Sequence, residues 1–272
     1  MSTLEDAKQK AATTYNAASD FFDHPANTFW DRYGRRTIER LGLAPGTQVL
    51  DVCCGSGASA IPAAEIVGPG GSVVGVDLAE NLLDLARAKV KQLGLENTDF
   101  RSGDMTNLAF ETETFDAVIC VFGIFFVPEM EVALHELKRV LRTGGTLAIT
   151  TWGPRLFEPV NTVFWNSVRE VRPDLHKSFN PWDRISDPND LRSLLNAAGF
   201  TQSEVVAESE SQAMNSPEDW WAMVLGSGYR GTIDQMAEED RERVRLANFD
   251  FIREASVQSV EANVVYGIAV KT

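Results

Sequence analysis

In the middle part of the chain, short hydrophobic runs typical of strands alternate with amphipathic segments typical of helices. Five short apolar runs predict buried β-strands, at residues 47–53, 72–76, 98–101, 117–121 and 146–151. Amphipathic segments follow several of these runs and predict helices at residues 58–67, 81–93 and 132–141. Strands that alternate with helices in this way are typical of an α/β protein with a doubly wound parallel sheet.

The segments on either side of this region follow a different pattern. Residues 4–22 predict one helix and a second helix extends to Leu41, so we interpret residues 1–45 as an N-terminal helical cap. Residues 46–152 then form the core, and lid insertions follow at 153–187 and 212–256. Additional helices are predicted at 190–198, 217–225 and 233–248, and strands at 201–211 and 257–270. Since no repeat or linker divides the chain, we expect a single domain over residues 1–272.

Composition places the chain among ordinary globular proteins. Its 272 residues are 44% hydrophobic and 24% charged, and no apolar run approaches the roughly 18 residues of a membrane span. The first residues lack the apolar core of a signal peptide, so we expect a cytoplasmic protein. Cys53, Cys54 and Cys120 suit a reducing compartment. No histidine lies near them in the sequence, so we expect no metal site.

The acidic net charge of the chain argues against a nucleic acid as its substrate. Its formal net charge is −14, which would repel the phosphate backbone of a nucleic acid. The short basic groups around Arg35 and Arg139 are mixed with acidic residues and are interpreted as solvated helix faces. We therefore expect a small-molecule substrate and no nucleic acid.

A glycine turn follows the first predicted strand and is the first candidate binding site. The strand carries Asp51 near its end, Gly55-Ser56-Gly57 comes next, and an alanine-rich helix start follows. Glycines allow tight turns, and a helix N-terminus offers free N–H groups to a ligand. Gly55, Gly57 and Ala60 also fit a dinucleotide-binding pattern, so this turn by itself does not decide between a phosphate ligand and another nucleotide-like ligand.

Acidic residues near the ends of successive strands favour a ligand without phosphate. Asp51, Asp77 and Asp104 lie near the ends of the first, second and third predicted strands, where open α/β sheets bind ligands. Three carboxylates would repel a pyrophosphate but would attract an ammonium group, a sulfonium, ribose hydroxyls and an adenine amine. Asp77 is suitably placed to accept both ribose hydroxyls. Asp104 is placed to accept from the adenine amine, with the Met105 N–H near the ring.

Five ordered motifs carry a resemblance to a known family. V-L-D-V-C-C-G-S-G, V-V-G-V-D, S-G-D-M, F-D-A-V-I-C and L-K-R-V-L-R-T-G-G-T-L resemble those of class I S-adenosylmethionine-dependent methyltransferases, in particular the ubiquinone/menaquinone-biosynthesis type. The resemblance implies S-adenosyl-L-methionine as cofactor. It also implies a Rossmann-like, seven-stranded sheet with an antiparallel last strand, in which residues 201–211 and 257–270 form the final pair.

The motifs and the resemblance together define the expected cofactor site. Its residues are Tyr15, Trp30, Asp51, Cys53, Gly55, Ser56, Gly57, Asp77, Leu78, Gly103, Asp104, Met105, Val121 and Phe122. Cys53 departs from the family, which usually has glycine or alanine there. Tyr15 and Trp30 match, by position only, an N-terminal tyrosine and tryptophan that cover the cofactor in related enzymes. Packing in the aromatic core of the first two helices is the alternative role for both.

The expected reaction is methyl transfer to an O, N or C atom of a small aromatic or hydrophobic molecule. Orientation in a dry cavity is the enzyme's main contribution to such a reaction. Only His24 and His176 are candidates for a catalytic base, because His135 lies on the polar face of its helix. All six tryptophans lie outside the repeating strand–helix units, and with Phe122, Phe125 and Phe126 they predict an apolar lid over the sheet edge.

Three other functions stay open at this point. A dehydrogenase that uses NAD would also place a ligand at the glycine turn, although Asp51 and Asp104 argue against it. A methyltransferase that acts on RNA or protein would need a basic surface. A non-catalytic cofactor-binding module would need no base. The acceptor, its reacting atom and the oligomeric state do not follow from the sequence.

Overall fold

The computed structural model describes residues 3–272 and contains a large sheet flanked by helices. The strands are β1 (Gln48–Val52), β2 (Ser72–Asp77), β3 (Thr98–Ser102), β4 (Phe115–Val121), β5 (Leu141–Trp152), β6 (Gln202–Glu208), β7 (Ser211–Ala213), β8 (Ser259–Glu261) and β9 (Val264–Val270). The helices are α1 (Leu4–Phe22), α2 (Phe29–Leu41), α3 (Ala60–Val67), α4 (Glu80–Leu93), α5 (Met130–Val140), α6 (Val160–Val171), α7 (Pro188–Ala197), α8 (Pro217–Leu225), α9 (Arg230–Ile233) and α10 (Glu238–Glu254). Short 3-10 turns lie at Pro25–Asn27, Ile124–Phe126, Pro173–Leu175 and Pro181–Ile185.

The main sheet has seven strands in the order β3-β2-β1-β4-β5-β9-β6. The first five of these are parallel to one another, and β9 runs antiparallel to both of its neighbours, β5 and β6. This arrangement confirms the expected Rossmann-like sheet with an antiparallel last strand. The chain order reverses between β1 and β4, and open α/β sheets bind their ligands beyond the strand ends at such a point.

The final strands are shorter than the sequence pattern predicted. The predicted strand 201–211 divides into β6 and the start of β7, and the predicted strand 257–270 divides into β8 and β9. The side-chain oxygen of Asn263 accepts the Glu210 N–H at 3.0 Å, in place of a backbone partner. Beyond this point β7 and β8 pair with each other as a separate two-stranded ribbon.

The last long helix is also displaced from its prediction at 233–248. It begins at Glu238, after an extended Ala237, and the short α9 precedes it. Three acidic residues, Glu238, Glu239 and Asp240, occupy its first turn, where negative charge interacts favourably with the helix dipole. The apolar periodicity did not locate this boundary, whereas the run of acids is a signal that could have done so.

The buried residues form two clusters, because side chains alternate between the two sides of each strand. Val49 of β1 packs with α3 and α4 residues, and the adjacent Leu50 packs with α5 and α7 residues. On the outer side of α4, α1 packs over the sheet edge and also contacts α8 and α9. The cap helix and the late helices are thereby placed over the carboxyl ends of the strands.

Arg184 joins the segment after β5 to the end of β4. Its guanidinium donates to the backbone carbonyl groups of Phe125, Val127 and Pro128, at 3.2, 2.9 and 2.7 Å. The 3-10 turn Pro181–Ile185 is therefore held against the turn Ile124–Phe126. This contact brings the aromatic residues of segment 173–187 to the ligand-binding edge of the sheet.

Gly34 allows α2 to approach the chain at the start of α3. A β-carbon at Gly34 would overlap the Ala58 carbonyl group and come within 2.9 Å of the Ser59 nitrogen. Alanine is the better helix former by about 1 kcal/mol, but overpacking costs about 1–3 kcal/mol or more. We expect Gly34→Ala to lower the free energy of unfolding by about 2 kcal/mol in urea denaturation, because backbone atoms cannot move aside as a side chain can.

Gly70→Ala is the control for this substitution. The nearest atom to a β-carbon at Gly70 is the Gly46 Cα, 3.9 Å away, so this change adds no overlap. It is expected to leave stability within about 0.5 kcal/mol of the wild type. A stable Gly34→Ala variant would contradict the close approach of the two segments.

Candidate functional site

The glycine turn after β1 contains several residues with left-handed backbone. Gly55 and Gly57 have φ of +53° and +89°, and the Gly57 N–H donates to the Cys54 carbonyl at 2.9 Å. Cys53 also has a positive φ, +59°, which is strained for a residue with a side chain. Phe122, at the end of β4, has a φ of +55°. Strain of this kind, at about 1–3 kcal/mol each, often accompanies a ligand site.

Asp77 holds the glycine turn in place through its carboxylate. One oxygen accepts the Gly55 N–H at 2.9 Å, and the other accepts the Ala79 N–H at 2.9 Å. Burial raises the pKa of Asp77, and the backbone N–H groups partly oppose that rise. A carboxylate offers about four lone-pair sites, so each oxygen keeps capacity for one further donor such as a ribose hydroxyl.

Asp51 lies beneath the turn and not in a cavity wall. It is fully buried, and its Oδ2 accepts from the Ser59 hydroxyl at 2.7 Å, immediately before α3. Its Oδ1 has no hydrogen-bond partner among residues 3–272. Burial raises the pKa of Asp51 to about 7, although the Ser59 hydrogen bond opposes that rise. The side chain therefore anchors the approach to α3 from within the protein.

Asp104 interacts with the N-terminal helix. Its Oδ2 lies 2.6 Å from the Lys8 ammonium, and its Oδ1 accepts the N–H and hydroxyl of Thr106 at 2.8 and 2.9 Å. Although burial acts in the opposite direction, Lys8 and Thr106 hold the pKa of Asp104 below its usual range. The sequence pattern gave no indication of Lys8, because nothing local to α1 shows that it faces the end of β3.

A cavity that is open to solvent lies at the carboxyl ends of β1, β2 and β4. We call it the cofactor cavity. The predicted site residues that line it are Tyr15, Trp30, Cys53, Gly55, Asp77, Leu78, Gly103, Asp104, Met105, Val121 and Phe122. The lining residues that were not predicted are Lys8, Ala11, Ala12, Phe22, Cys54, Ala58, Ser59, Leu82, Phe126 and Val127.

The remaining predicted residues, Asp51, Ser56 and Gly57, do not line the cofactor cavity. The Ser56 hydroxyl instead donates to Asp23 at 2.7 Å and accepts from the Lys89 ammonium at 2.9 Å. Asp51 and Gly57 shape the turn from below. These residues act on the cavity through the backbone they support. Motif spacing alone does not distinguish such supporting residues from residues that line the cavity.

Trp30 and Tyr15, which matched the family only by position, lie in the cavity wall. Trp30 stacks on Phe22 with ring centres 5.0 Å apart, and its edge packs against Phe122 at 5.6 Å. Tyr15 packs edge-on against Phe126 at 5.4 Å. Burial, and to a lesser extent the nearby Asp77 charge, raise the pKa of Tyr15. Both residues thus pack in the aromatic core and also face the cavity.

A second cavity adjoins the first. Tyr15, Phe126 and Ala11 line both of them. The other lining residues, Ala7, Lys10, Thr14, Trp165, Lys177, Phe179, Asn180, Pro181, Trp182, Gly228 and Tyr229, come from α1, from segment 153–187 and from the turn before α9. We call it the aromatic cavity, since Trp165, Trp182 and Tyr229 give it large ring surfaces.

The histidines suggested as a base lie outside both cavities. The Nδ1 atom of His24 accepts the Ala26 N–H at 3.1 Å and so caps a 3-10 turn. The ring of His176 packs edge-on against Trp165, 6.2 Å between centres. His135 lies on the exposed side of α5, as expected. Neither His24 nor His176 therefore lines either of the two cavities.

The described part of the chain has neither a cluster of metal-ligating side chains nor a helix suited to a membrane. Among residues 3–272, no group of histidine, cysteine, aspartate or glutamate side chains is arranged to hold a metal ion. No helix within that range is both long and apolar enough to cross a membrane.

Comparison with known proteins gives consistent matches. The model of the ubiE/COQ5 methyltransferase family matches residues 3–205. Demethylmenaquinone methyltransferase from Lactococcus lactis subsp. lactis (strain IL1403) is 33% identical over 202 residues, which cover 70% of this chain and 77% of that protein. Its namesake from Staphylococcus aureus (strain JH9) is 32% identical, with coverage of 71% and 82%. A solved SAM-dependent methyltransferase from Aquifex aeolicus has the same fold, with a TM-score of 0.51, 22% identity and coverage of 74% and 91%.

Proposed function

The chain belongs to the ubiE/COQ5 methyltransferase family, and from this premise we propose that it methylates a flat aromatic small molecule bound in the aromatic cavity. Family membership confirms the resemblance carried by the five motifs. The chain is an S-adenosylmethionine-dependent methyltransferase, which sets aside the NAD-dependent and non-catalytic alternatives. The named relatives act on demethylmenaquinone, so a quinol-like ring is the acceptor class that we infer for this chain.

The single observation that supports this proposal is that the two cavities adjoin at Tyr15 and Phe126. The cofactor cavity has the groups that S-adenosylmethionine requires: Asp77 has free lone pairs for ribose hydroxyls, and Trp30 and Phe122 offer ring surfaces suited to a sulfonium. The cofactor supplies an electrophilic methyl group on sulfur. An acceptor in the aromatic cavity would face that group across the shared wall.

Binding and orientation are then the main contributions of this chain's side chains. Trp165, Trp182 and Tyr229 would hold a planar acceptor between ring surfaces and exclude water from it. We propose that segments 153–187 and 212–256 form the lid, because they supply most of the aromatic cavity wall. The acidic net charge of −14 favours a small molecule over RNA. The free state of Cys53, Cys54 and Cys120 accords with a reducing, cytoplasmic location.

Calorimetry and a methyl-transfer assay test the proposal together. We expect S-adenosylhomocysteine to bind and NAD not to bind. We also expect labelled methyl from S-adenosylmethionine to appear on 1,4-naphthohydroquinone, or on another ring in a panel of quinols, catechols, indoles and aromatic amines. Absence of S-adenosylhomocysteine binding would overturn the cofactor assignment for this chain. Binding without transfer to any ring would overturn the acceptor class.

Trp182→Ala tests whether the aromatic cavity holds the acceptor. Loss of one aromatic surface should raise the KM for the acceptor about tenfold, with little change in S-adenosylhomocysteine affinity. Trp221→Ala is the matched control, because Trp221 lies on α8 and lines neither cavity. An equal rise of the acceptor KM in both variants would indicate general destabilisation and would contradict the assignment.

A further inference from the structure

Two lysines in the aromatic cavity lack any acidic partner. Lys10, on the exposed side of α1, and Lys177, half-buried in segment 173–187, both line this cavity. Within the described part of the chain, neither forms an ion pair or a hydrogen bond. The Lys177 ammonium instead lies over the Trp165 ring, 5.5 Å from its centre.

Acidic residues that are close to these lysines in the sequence have other partners. Asp6, one turn before Lys10, accepts the Thr3 N–H at 3.0 Å as part of the cap of α1. Asp174, three residues before Lys177, pairs with Arg172 at 2.6 Å. Asp183 accepts the Asn180 N–H at 2.7 Å. The two ammonium groups therefore face the cavity without a counter-ion from the protein.

The residues that line each cavity indicate which end of a bound acceptor the two lysines would contact. Lys10, Lys177 and Trp165 line the aromatic cavity but not the cofactor cavity, whereas Tyr15 and Phe126 line both. A ring that contacts Tyr15 and Phe126 at one end would place its opposite substituent among the lysines. Buried or partly buried charge is stabilised when an opposite charge pairs with it, so an anionic substituent fits this end.

We propose that the acceptor, whose methylation in this cavity rests on the proposed function above, is an aromatic carboxylate held at its carboxylate end by Lys10 and Lys177. The carboxylate lies away from the cofactor and sets which ring atom faces the methyl group. Burial, and then the charge of Lys10, lower the pKa of Lys177 to about 8. A bound carboxylate would relieve this repulsion. A quinol-like ring that carries a carboxylate would therefore contact both the ring surfaces and the lysines, whereas the same ring without the carboxylate would leave both lysines uncompensated.

Binding of two matched ligands to the full chain tests the proposal. 2-Naphthoate and 2-naphthamide have the same ring and nearly the same size, but only the first carries a charge. Calorimetry is expected to show about tenfold tighter binding of the acid, as for hydrogen bonds to a charged group. Equal binding of the two ligands, or binding of neither, would overturn the carboxylate site.

Variants of Lys177 separate its charge from its packing. Lys177→Gln is expected to weaken 2-naphthoate about tenfold and leave 2-naphthamide within about twofold, while Lys177→Arg retains most of the preference for the acid. Lys91→Gln is the matched control, because Lys91 is exposed on α4 and lines neither cavity. If Lys177→Gln weakens both ligands equally, the lysine acts through packing and the proposal fails.

The same titrations distinguish this inference from the proposed function. Each ligand is measured with and without S-adenosylhomocysteine, whose own affinity is expected to be unchanged in Lys177→Gln. A chain that does not bind S-adenosylhomocysteine contradicts the proposed function, whereas the ratio of acid to amide binding still decides the role of the lysines. A chain that binds S-adenosylhomocysteine but does not prefer the acid contradicts only the carboxylate site.

Discussion

Asp77→Ala is expected to weaken S-adenosylhomocysteine binding by about 100-fold or more. Two ribose hydroxyls would lose a charged acceptor, and hydrogen bonds to charged groups contribute about 1.5–3 kcal/mol each. The substitution also removes the acceptor for the Gly55 and Ala79 N–H groups, so the glycine turn loses its support. Calorimetry of both proteins with S-adenosylhomocysteine measures the effect.

Asp99→Ala provides a matched control for Asp77→Ala. Asp99 lies on β3 of the same sheet, but its side chain is exposed and forms a surface ion pair with Arg101. This control should bind S-adenosylhomocysteine as the wild type does. Asp77→Asn should keep part of the affinity, because an amide oxygen still accepts one hydrogen bond. Retained affinity in Asp77→Ala would place the ribose elsewhere.

Asp51→Asn is expected to remove a large part of the pH dependence of stability. The pKa of Asp51 rises from 3.8 to about 7 in the folded protein, because burial disfavours its charged form. Between about pH 4 and pH 7 the folded chain therefore holds a proton that the unfolded chain has released. The free energy of unfolding therefore falls by up to about 4 kcal/mol as the pH rises through this window. Outside this window, the contribution of Asp51 to the pH dependence is small.

The measurement compares how the free energy of unfolding changes with pH in each protein. The absolute stabilities are not compared, because Asp51→Asn also changes buried hydrogen bonding. Urea denaturation at about pH 5 and about pH 8 should show a smaller loss of unfolding free energy in Asp51→Asn than in the wild type. Asp99→Asn, which alters only a surface ion pair, should follow the wild type. Equal losses in wild type and Asp51→Asn would mean that Asp51 is charged in the folded protein at pH 5.

Helix α1 connects the two sites, because neighbouring faces of one helix line different cavities. Lys8 and Ala12 face the cofactor cavity, Lys10 and Thr14 face the aromatic cavity, and Tyr15 faces both. Residues three and four apart share a helix face, so this division follows from helical geometry once α1 is in place. The Lys8–Asp104 ion pair, at 2.6 Å, ties this helix to the end of β3.

The sequence by itself determined the parallel core and the general place of the cavity that we propose for the cofactor. Apolar strands that are buried on both faces produce continuous hydrophobic runs in the sequence. Asp77 and Gly55 are recognisable as candidate ligand residues because they lie at or just after the ends of such runs. The division of the late strands was not predicted, because periodicity does not reveal contacts such as the hydrogen bond that the Asn263 side chain accepts from the Glu210 N–H. The start of α10 was missed although its acidic first turn was visible in the sequence.

Only the tertiary structure decided which distant segments meet over the sheet. Lys8 pairs with Asp104, which lies far along the chain, and Lys10 and Lys177, which precede and follow the core in sequence, line one cavity. It likewise showed Asp51 as a buried support and not as a cavity residue, because burial and partners depend on all elements packed around a side chain. Local sequence records the periodicity of an element, whereas the aromatic cavity, which we propose as the acceptor site, is formed by the packing of helices and loops that share no local signal.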